Sequence, residues 1–355
     1  MKQCAAFWDM TSWRAWAETH YRPAIDEADR SLFEKAAHEC DLIPPDGDLG
    51  DIATDEEAQV ALLLSRVVNV EELSLTLPAI HSDRLLLQRM RALVDHRTGL
   101  QHLHTFSPSY YNFEGHVEGG FELTPISTVF RLPSIRKIVG TACLEPEDDA
   151  FRGFDCPPGS STVTNIEFYR SSICPKAFRV MIEACKGLEV LYCDWGGHTV
   201  GWSEINFSII GGALQSQAHS LQKLTLDCRK HYDVWPEDEE VLIGPLGSLK
   251  NFKQLRMINV PGVALIGWDK DRIDGFNTLP DVLPPCIEEL RISNWAPGLE
   301  EQLSMLSAVT KEQYPNLRRL ILQDVEAGSL QQQFDDANAH VSVIIEDGDE
   351  WDHFS

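Results

Sequence analysis

Ser220-Leu-Gln-Lys-Leu-Thr-Leu-Asp227 sets apolar residues at Leu221, Leu224 and Leu226. The last four residues alternate apolar and polar, as a strand with one buried face must. The first leucine turns in from the bend before it. The same frame recurs outward in both directions. Before it stand Val70/Leu73/Leu75, Leu100/Leu103/Thr105, Ile135/Ile138/Gly140, Val163/Ile166/Phe168 and Leu188/Leu191/Cys193. After it come Phe252/Leu255/Met257, Ile287/Leu290/Ile292 and Leu317/Leu320/Leu322, and Val341/Val343/Ile345 reads as a worn terminal copy.

The middle positions run 73, 103, 138, 166, 191, 224, 255, 290 and 320, in steps of 25 to 35 residues. A fixed apolar frame at such steps is the pattern of a leucine-rich repeat. One strand and one helix cannot bury an apolar face alone, but stacked neighbours can. The expected architecture is therefore an α/β solenoid, a horseshoe of about nine to ten irregular strand–loop–helix repeats over residues 51–346. Residues 1–50 carry no repeat frame. Their Trp8, Trp13, Trp16 and Tyr21, then Leu32, Phe33, Ala36 and Ala37, read as a helical cap on the first repeat. Residues 347–355 read as a solvated acidic tail. Helices are expected at Asp83–His96, Ile126–Arg131, Pro175–Lys186, Ile205–Ala218, Leu246–Lys250 and Glu300–Glu312.

The chain has 30 Lys and Arg against 55 Asp and Glu, a net charge of −25. Sequence-independent nucleic-acid binding and anionic membranes both need a basic face, so neither is an expected partner. The nine cysteines are scattered, with no C-x-x-C, and fit a reducing compartment, cytoplasmic or nuclear. The first residues lack a basic stretch followed by an apolar run, so no secretory signal is expected, and no apolar run reaches bilayer-spanning length.

On the concave wall of a horseshoe the residues between frame positions face outward. They pair as Glu72/Ser74, His102/His104, Lys137/Val139, Asn165/Glu167, Val190/Tyr192, Lys223/Thr225, Gln254/Arg256, Glu289/Arg291 and Arg319/Ile321. The wall turns basic toward Arg256, Arg291 and Arg319, which suits an acidic peptide or a carboxylate. The plainer reading pairs these arginines with neighbouring acids. His102, His104, Glu167 and Tyr192 complete the wall residues expected to bind. A second set lies in the loops after the strands: Tyr110, Tyr111, Trp195, Trp202, Trp235 and Trp268. Their rings either line one rim as anchors or fold back as small loop cores.

Catalytic signals are thin. His102-x-His104 with Glu72 has the makings of a metal pair and third ligand, though two wall histidines are more often plain surface. Gly197-His198-Thr199-Val200-Gly201 imitates a nucleophile elbow without its helix or triad, and Asp269-x-Asp271 with Gly275 misses calcium-loop spacing. No phosphate-binding glycine motif occurs. No cofactor is expected, and these signals lean against enzymatic activity without deciding it.

Asp55–Pro78 (DEEAQVALLLSRVVNVEELSLTLP), Leu242–Pro261 (LIGPLGSLKNFKQLRMINVP) and Leu283–Ser293 (LPPCIEELRIS) resemble the repeat region of filamentous-fungal F-box/leucine-rich-repeat proteins. The likeness covers about residues 50 to 325. It implies a non-enzymatic scaffold that captures a protein for modification, the F-box docking on a ubiquitin-ligase adaptor. No F-box pattern precedes residue 50, so docking on that adaptor is not expected of these residues. The usual Asn or Cys three residues after the last frame Leu is also replaced, by Pro78, Arg229, Val260 and Trp295, with Cys143 alone fitting. The expected partner is a protein or peptide segment on the concave face. The alternative is a small molecule, bound or transformed, in a pocket under the aromatic loops. A third reading makes the Trp-rich cap the contact surface of an adaptor.

Overall fold

A computed structural model describes residues 27–40, 56–77, 85–110, 119–145, 153–196, 205–229, 242–267, 278–293, 296, 298–323, 329–337 and 339–346. The expected cap aromatics Trp8, Trp13, Trp16 and Tyr21 lie outside them, as do Tyr111, Trp202, Trp235, Trp268, residues 197–201, 269–275 and 347–355.

Ten strands form one parallel sheet, each pairing with the next in chain order. They are β1 (Glu72–Thr76), β2 (Thr105–Ser109), β3 (Lys137–Thr141), β4 (Asn165–Ser171), β5 (Val190–Trp195), β7 (Lys223–Asp227), β9 (Met257–Pro261), β10 (Glu289–Ser293), β11 (Arg319–Gln323) and β12 (Ser342–Glu346). Two residues of β6 (Ile205–Asn206) and two of β8 (Leu242–Ile243) pair separately. Parallel neighbours need a crossover, and helices supply most of it. Preceding the sheet are α1 (Glu27–Glu39) and α2 (Glu56–Arg66). Between strands lie α3 (Leu85–Asp95), α4 (Leu123–Ile126), α5 (Pro175–Ala184), α6 (Phe207–Leu214), α7 (Gly262–Ile266), α8 (Leu279–Val282), α9 (Leu299–Gln313) and α10 (Leu330–Asp336). No helix among the described residues is long and apolar enough to cross a membrane.

The register runs Leu73↔Phe106↔Ile138↔Ile166↔Leu191↔Leu224↔Ile258↔Leu290↔Leu320↔Val343. Eight of these are the expected middle residues; two are not. In the second repeat Phe106, not Leu103, holds the middle, and in the seventh Ile258, not Leu255. Both stretches carry apolar residues at three-residue intervals, Leu100/Leu103/Phe106 and Phe252/Leu255/Ile258, so two frames fit. The later frame wins because it continues the alternation: Phe106 and Pro108 are buried, as are Ile258 and Val260. The corrected steps are 33, 32, 28, 25, 33, 34, 32, 30 and 23 residues. Pro108 has no N–H to give, and the β2–β3 pairing skips from Phe106 to Ser109.

The frame residues and the inner helix faces make one core, in which Phe178, Met181 and Ile182 of α5 are fully buried with Leu191 and Leu224. Each such side chain contributes about 1.5–3 kcal/mol relative to exposure. Pro175 opens α5 at a position where its missing N–H is not needed. Asn206 caps α6, its side chain accepting from the Ile209 amide at 3.0 Å. The helix expected at Leu246–Lys250 does not form; the stretch has no regular structure, and α7 and α8 follow it instead. Gly211 of α6 lies so near the Leu246 carbonyl that a Cβ would sit 1.8 Å from its oxygen.

The bend entering each strand repeats one hydrogen-bond pattern. The Glu71 carbonyl accepts from the amides of His104 (2.7 Å) and Thr105 (3.2 Å) in the next repeat. The carbonyls of His104, Arg136, Thr164, Glu189, Gln222, Arg256 and Glu288 do the same. Side chains one repeat later close the remaining carbonyls. Ser134 Oγ donates to Leu103 O (2.9 Å), Thr162 Oγ1 to Ile135 O (2.9 Å), and Gln217 Nε2 to Cys185 O (3.0 Å).

Candidate functional site

Helices cover one face of the sheet. On the other, the residues between frame positions stay exposed or half-exposed from β1 to β9, with Asp194 and Pro261 the buried exceptions. Its centre is the most built part. Lys137 Nζ lies 2.8 Å from Glu167 Oε1 on the next strand. The Tyr169 hydroxyl donates to Glu167 Oε2 at 3.1 Å. Tyr169 and Tyr192, on β4 and β5, set their rings 4.7 Å apart at 34°. Burial, then the Glu167 charge, pushes the Tyr169 phenol up to about 12. Burial, then Asp194 and Asp227, lifts Tyr192 above its ordinary value. Both phenols are therefore protonated near neutral pH and present hydrogen-bonding groups on an aromatic step.

A bulge in β4 shapes this centre. The pairing with β5 shifts between Phe168 and Ser171, and Arg170 takes a left-handed φ of 49°. Its amide reaches the Asp194 carboxylate at 3.4 Å. Ser171 is turned inward, where its hydroxyl donates to Tyr169 O and accepts from the Cys143 amide. A bulge bends a strand and re-aims its side chains. Beside it Arg229 grips Asp227, its Nε 2.9 Å from Oδ1. The Asp227 carboxylate in turn holds the Arg229 guanidinium above its ordinary value.

The expected wall residues divide. Glu167, Tyr192, Arg291 and Arg319 occupy the face. His102, His104 and Arg256 do not: they lie in the entry bends, because the frames of their two repeats sit three residues later. Thr105/Ser107 and Met257/Asn259 take the wall places instead. The basic end of the wall is paired internally. Arg319 meets Glu289, Arg291 lies 3.3 Å from Glu346, and Arg256 lies 3.5 Å from Glu288. Glu289, Ser293, Ile321 and Gln323 are buried there, so the face is less open toward β11.

Of the loop aromatics, Tyr110 is half-buried and lies over Gly119, where a Cβ would come within 2.6 Å of its hydroxyl. Trp195 is no rim residue. It ends β5, is 1% exposed, and packs on Phe178 with centroids 5.3 Å apart. Alternation carries it to the core side after Leu191 and Cys193, while Asp194 is buried on the opposite face. Among the described residues no group of three His, Cys, Asp or Glu side chains could hold a metal ion. The described cysteines are free, and burial raises the thiols of Cys143, Cys193 and Cys228 well above their ordinary value.

Tyr169, Asp227 and Arg229 were not singled out from sequence. Extending the alternation Asn165/Glu167 by two residues reaches Tyr169, and extending Lys223/Thr225 reaches Asp227. No protein-family model matches the chain, and no curated protein matches it.

Proposed function

We propose that the chain is a leucine-rich-repeat horseshoe acting as a non-enzymatic recognition scaffold, which holds a protein or peptide segment on the open sheet face. The sequence resemblance to the substrate-binding repeats of fungal F-box proteins points the same way. The observation that carries the reading is the uncovered strip Glu167–Tyr169–Tyr192. It offers a rigid aromatic step flanked by a carboxylate and a lysine, the mix that recognition surfaces use. The strip's one carboxylate, Glu167, is engaged by both Lys137 and the Tyr169 hydroxyl, and burial raises the Tyr169 phenol, which supports contact over catalysis.

The test is native mass spectrometry of the chain purified from its own cells, with peptide identification of what co-elutes. A stoichiometric protein is expected, lost on Tyr192→Ala and kept on Arg256→Ala, whose side chain lies in a bend beside Glu288. A small-molecule adduct without a protein, or a partner indifferent to Tyr192, overturns the reading.

A further inference from the structure

The arginines at the basic end of the wall are paired, but among the described residues other basic side chains have no ion-pair partner. Three of them gather where three successive repeats enter their strands. Lys186, His219 and Lys253 each stand four residues before the first strand residue, Val190, Lys223 and Met257. Their turns stack directly. A Cβ on Gly187, next to Lys186, would lie 3.9 Å from His219 Nε2. The Lys253 amide donates to Ala218 O, and Gln254 Nε2 donates to His219 O at 2.9 Å. Neighbouring strands are about 4.8 Å apart, so the three side chains form a short column at that pitch. Lys223, in register between Val190 and Met257, adds a fourth group at its border.

All four side chains are exposed. Lys186, Lys223 and Lys253 form no ion pair with a described residue, unlike Lys137 and Lys250, which lie 2.8 and 3.2 Å from Glu167 and Asp281. The acids nearby are mostly taken: Glu183 lies 2.8 Å from Arg179, and Glu288 is with Arg256. Glu189 alone stands exposed inside the group. Lys186 and Glu183 also border a shallow recess of about 470 Å³ floored by Cys185, Ser216 and Gln217. In a chain of net charge −25, three lysines without an ion pair to a described residue, against the one exposed carboxylate of Glu189, make this edge locally basic.

We propose that this strand-entry edge docks an acidic peptide segment, a run of Asp and Glu laid across the repeats that carry Lys186, His219 and Lys253. A nucleic acid fits poorly. Its duplex brings a charge about every 1.7 Å along its axis, and the surrounding net negative charge repels so dense a polyanion. A peptide sets discrete carboxylates against discrete ammonium groups.

The probe is a fluorescein-labelled ten-residue Asp/Glu peptide, followed by anisotropy with the full chain at about 50 mM salt, where the screening length exceeds about 10 Å. Saturable binding is expected, with none for a Gln peptide of the same length. The triple substitution K186Q/K223Q/K253Q changes exposed side chains only, and its thermal melt checks that the fold is kept. It should weaken binding about tenfold, since each exposed pair contributes little alone. Tyr192→Ala should leave this binding unchanged, because Lys186, His219 and Lys253 lie in the entry bends and only Lys223, at their border, shares the open face with Tyr192. No saturable binding, equal binding by the triple variant, or equally good competition by a DNA duplex overturns the proposal. Loss with Tyr192→Ala but not with the triple variant also overturns it, and assigns the acidic peptide to the open face instead.

Discussion

Replacing Gln217 by Leu tests whether the side chains at the entry bends hold the repeats together. The Gln217 amide is 1% exposed and spans two repeats. Its Nε2 donates to Ile182 O at 3.1 Å and Cys185 O at 3.0 Å, and its Oε1 accepts from the Leu188 amide at 2.9 Å. Ile182 O keeps another donor, the Cys185 amide. Leucine fills similar space but bonds nothing, so Cys185 O and the Leu188 N–H lose these partners inside the core. A buried orphan costs about 1–3 kcal/mol, which puts the pair near 4 kcal/mol before any gain from the added apolar surface. With that offset the net loss should be about 3 kcal/mol. Urea unfolding followed by far-UV circular dichroism measures it, and hydrogen exchange at the Leu188 amide localises it. The comparison is Gln254→Leu, whose side chain makes the related bond to His219 O but is exposed. Water can replace that bond, so a change within about 0.5 kcal/mol is expected. Equal losses at both sites, or less than about 1 kcal/mol at Gln217, would refute the reasoning.

Gly211→Ala should cost about 3 kcal/mol or prevent folding, since its Cβ would meet a backbone oxygen that cannot swing aside; thermal melts decide it. Trp195→Ala should remove about 3–5 kcal/mol by emptying the space against Phe178, whereas a rim residue would leave the melt unchanged. Glu145 accepts from the first amides of α4 and is almost fully buried, and burial lifts its carboxyl from 4.5 to about 7. The folded chain then keeps a proton that the unfolded chain has released. Its contribution to stability is greatest below pH 4.5 and falls as pH rises toward 7, by up to about 3 kcal/mol. Glu145→Gln keeps an acceptor for those amides and should flatten the slope of stability against pH across that window.

The fold was legible where side-chain type alone decides burial. Leu221/Leu224/Leu226 and Ile287/Leu290/Ile292 admit one frame each, and both strands lie where that frame puts them. Leu100/Leu103/Phe106 and Phe252/Leu255/Ile258 admit two, and only pairing with neighbouring strands selects the later one. That slip moved His102, His104 and Arg256 off the wall. The pairing of Arg291 with Glu346 joins residues 55 positions apart on strands two places removed, which no local pattern encodes. Trp195 was misplaced for a related reason. Its position after a strand marks it as loop, but β5 continues to it and turns it toward Phe178. The bulge at Arg170 is a departure from alternation, and nothing in Phe168–Ser171 announces it.

The doubled amides at the entry bends make the two edges of the sheet unequal. Along the edge where strands begin, every repeat is tied to the one before at a set interval, like teeth on a rack. The chain lengths between middle residues vary from 23 to 34 without disturbing that interval, so the variation is taken up elsewhere in each repeat. Segments leaving the strands can therefore be lengthened, shortened or exchanged while the spacing of Lys186, His219 and Lys253 stays constant. Such a molecule can change what it presents on one side without losing its grip on the other, which makes its exit segments the natural place to graft new sequence.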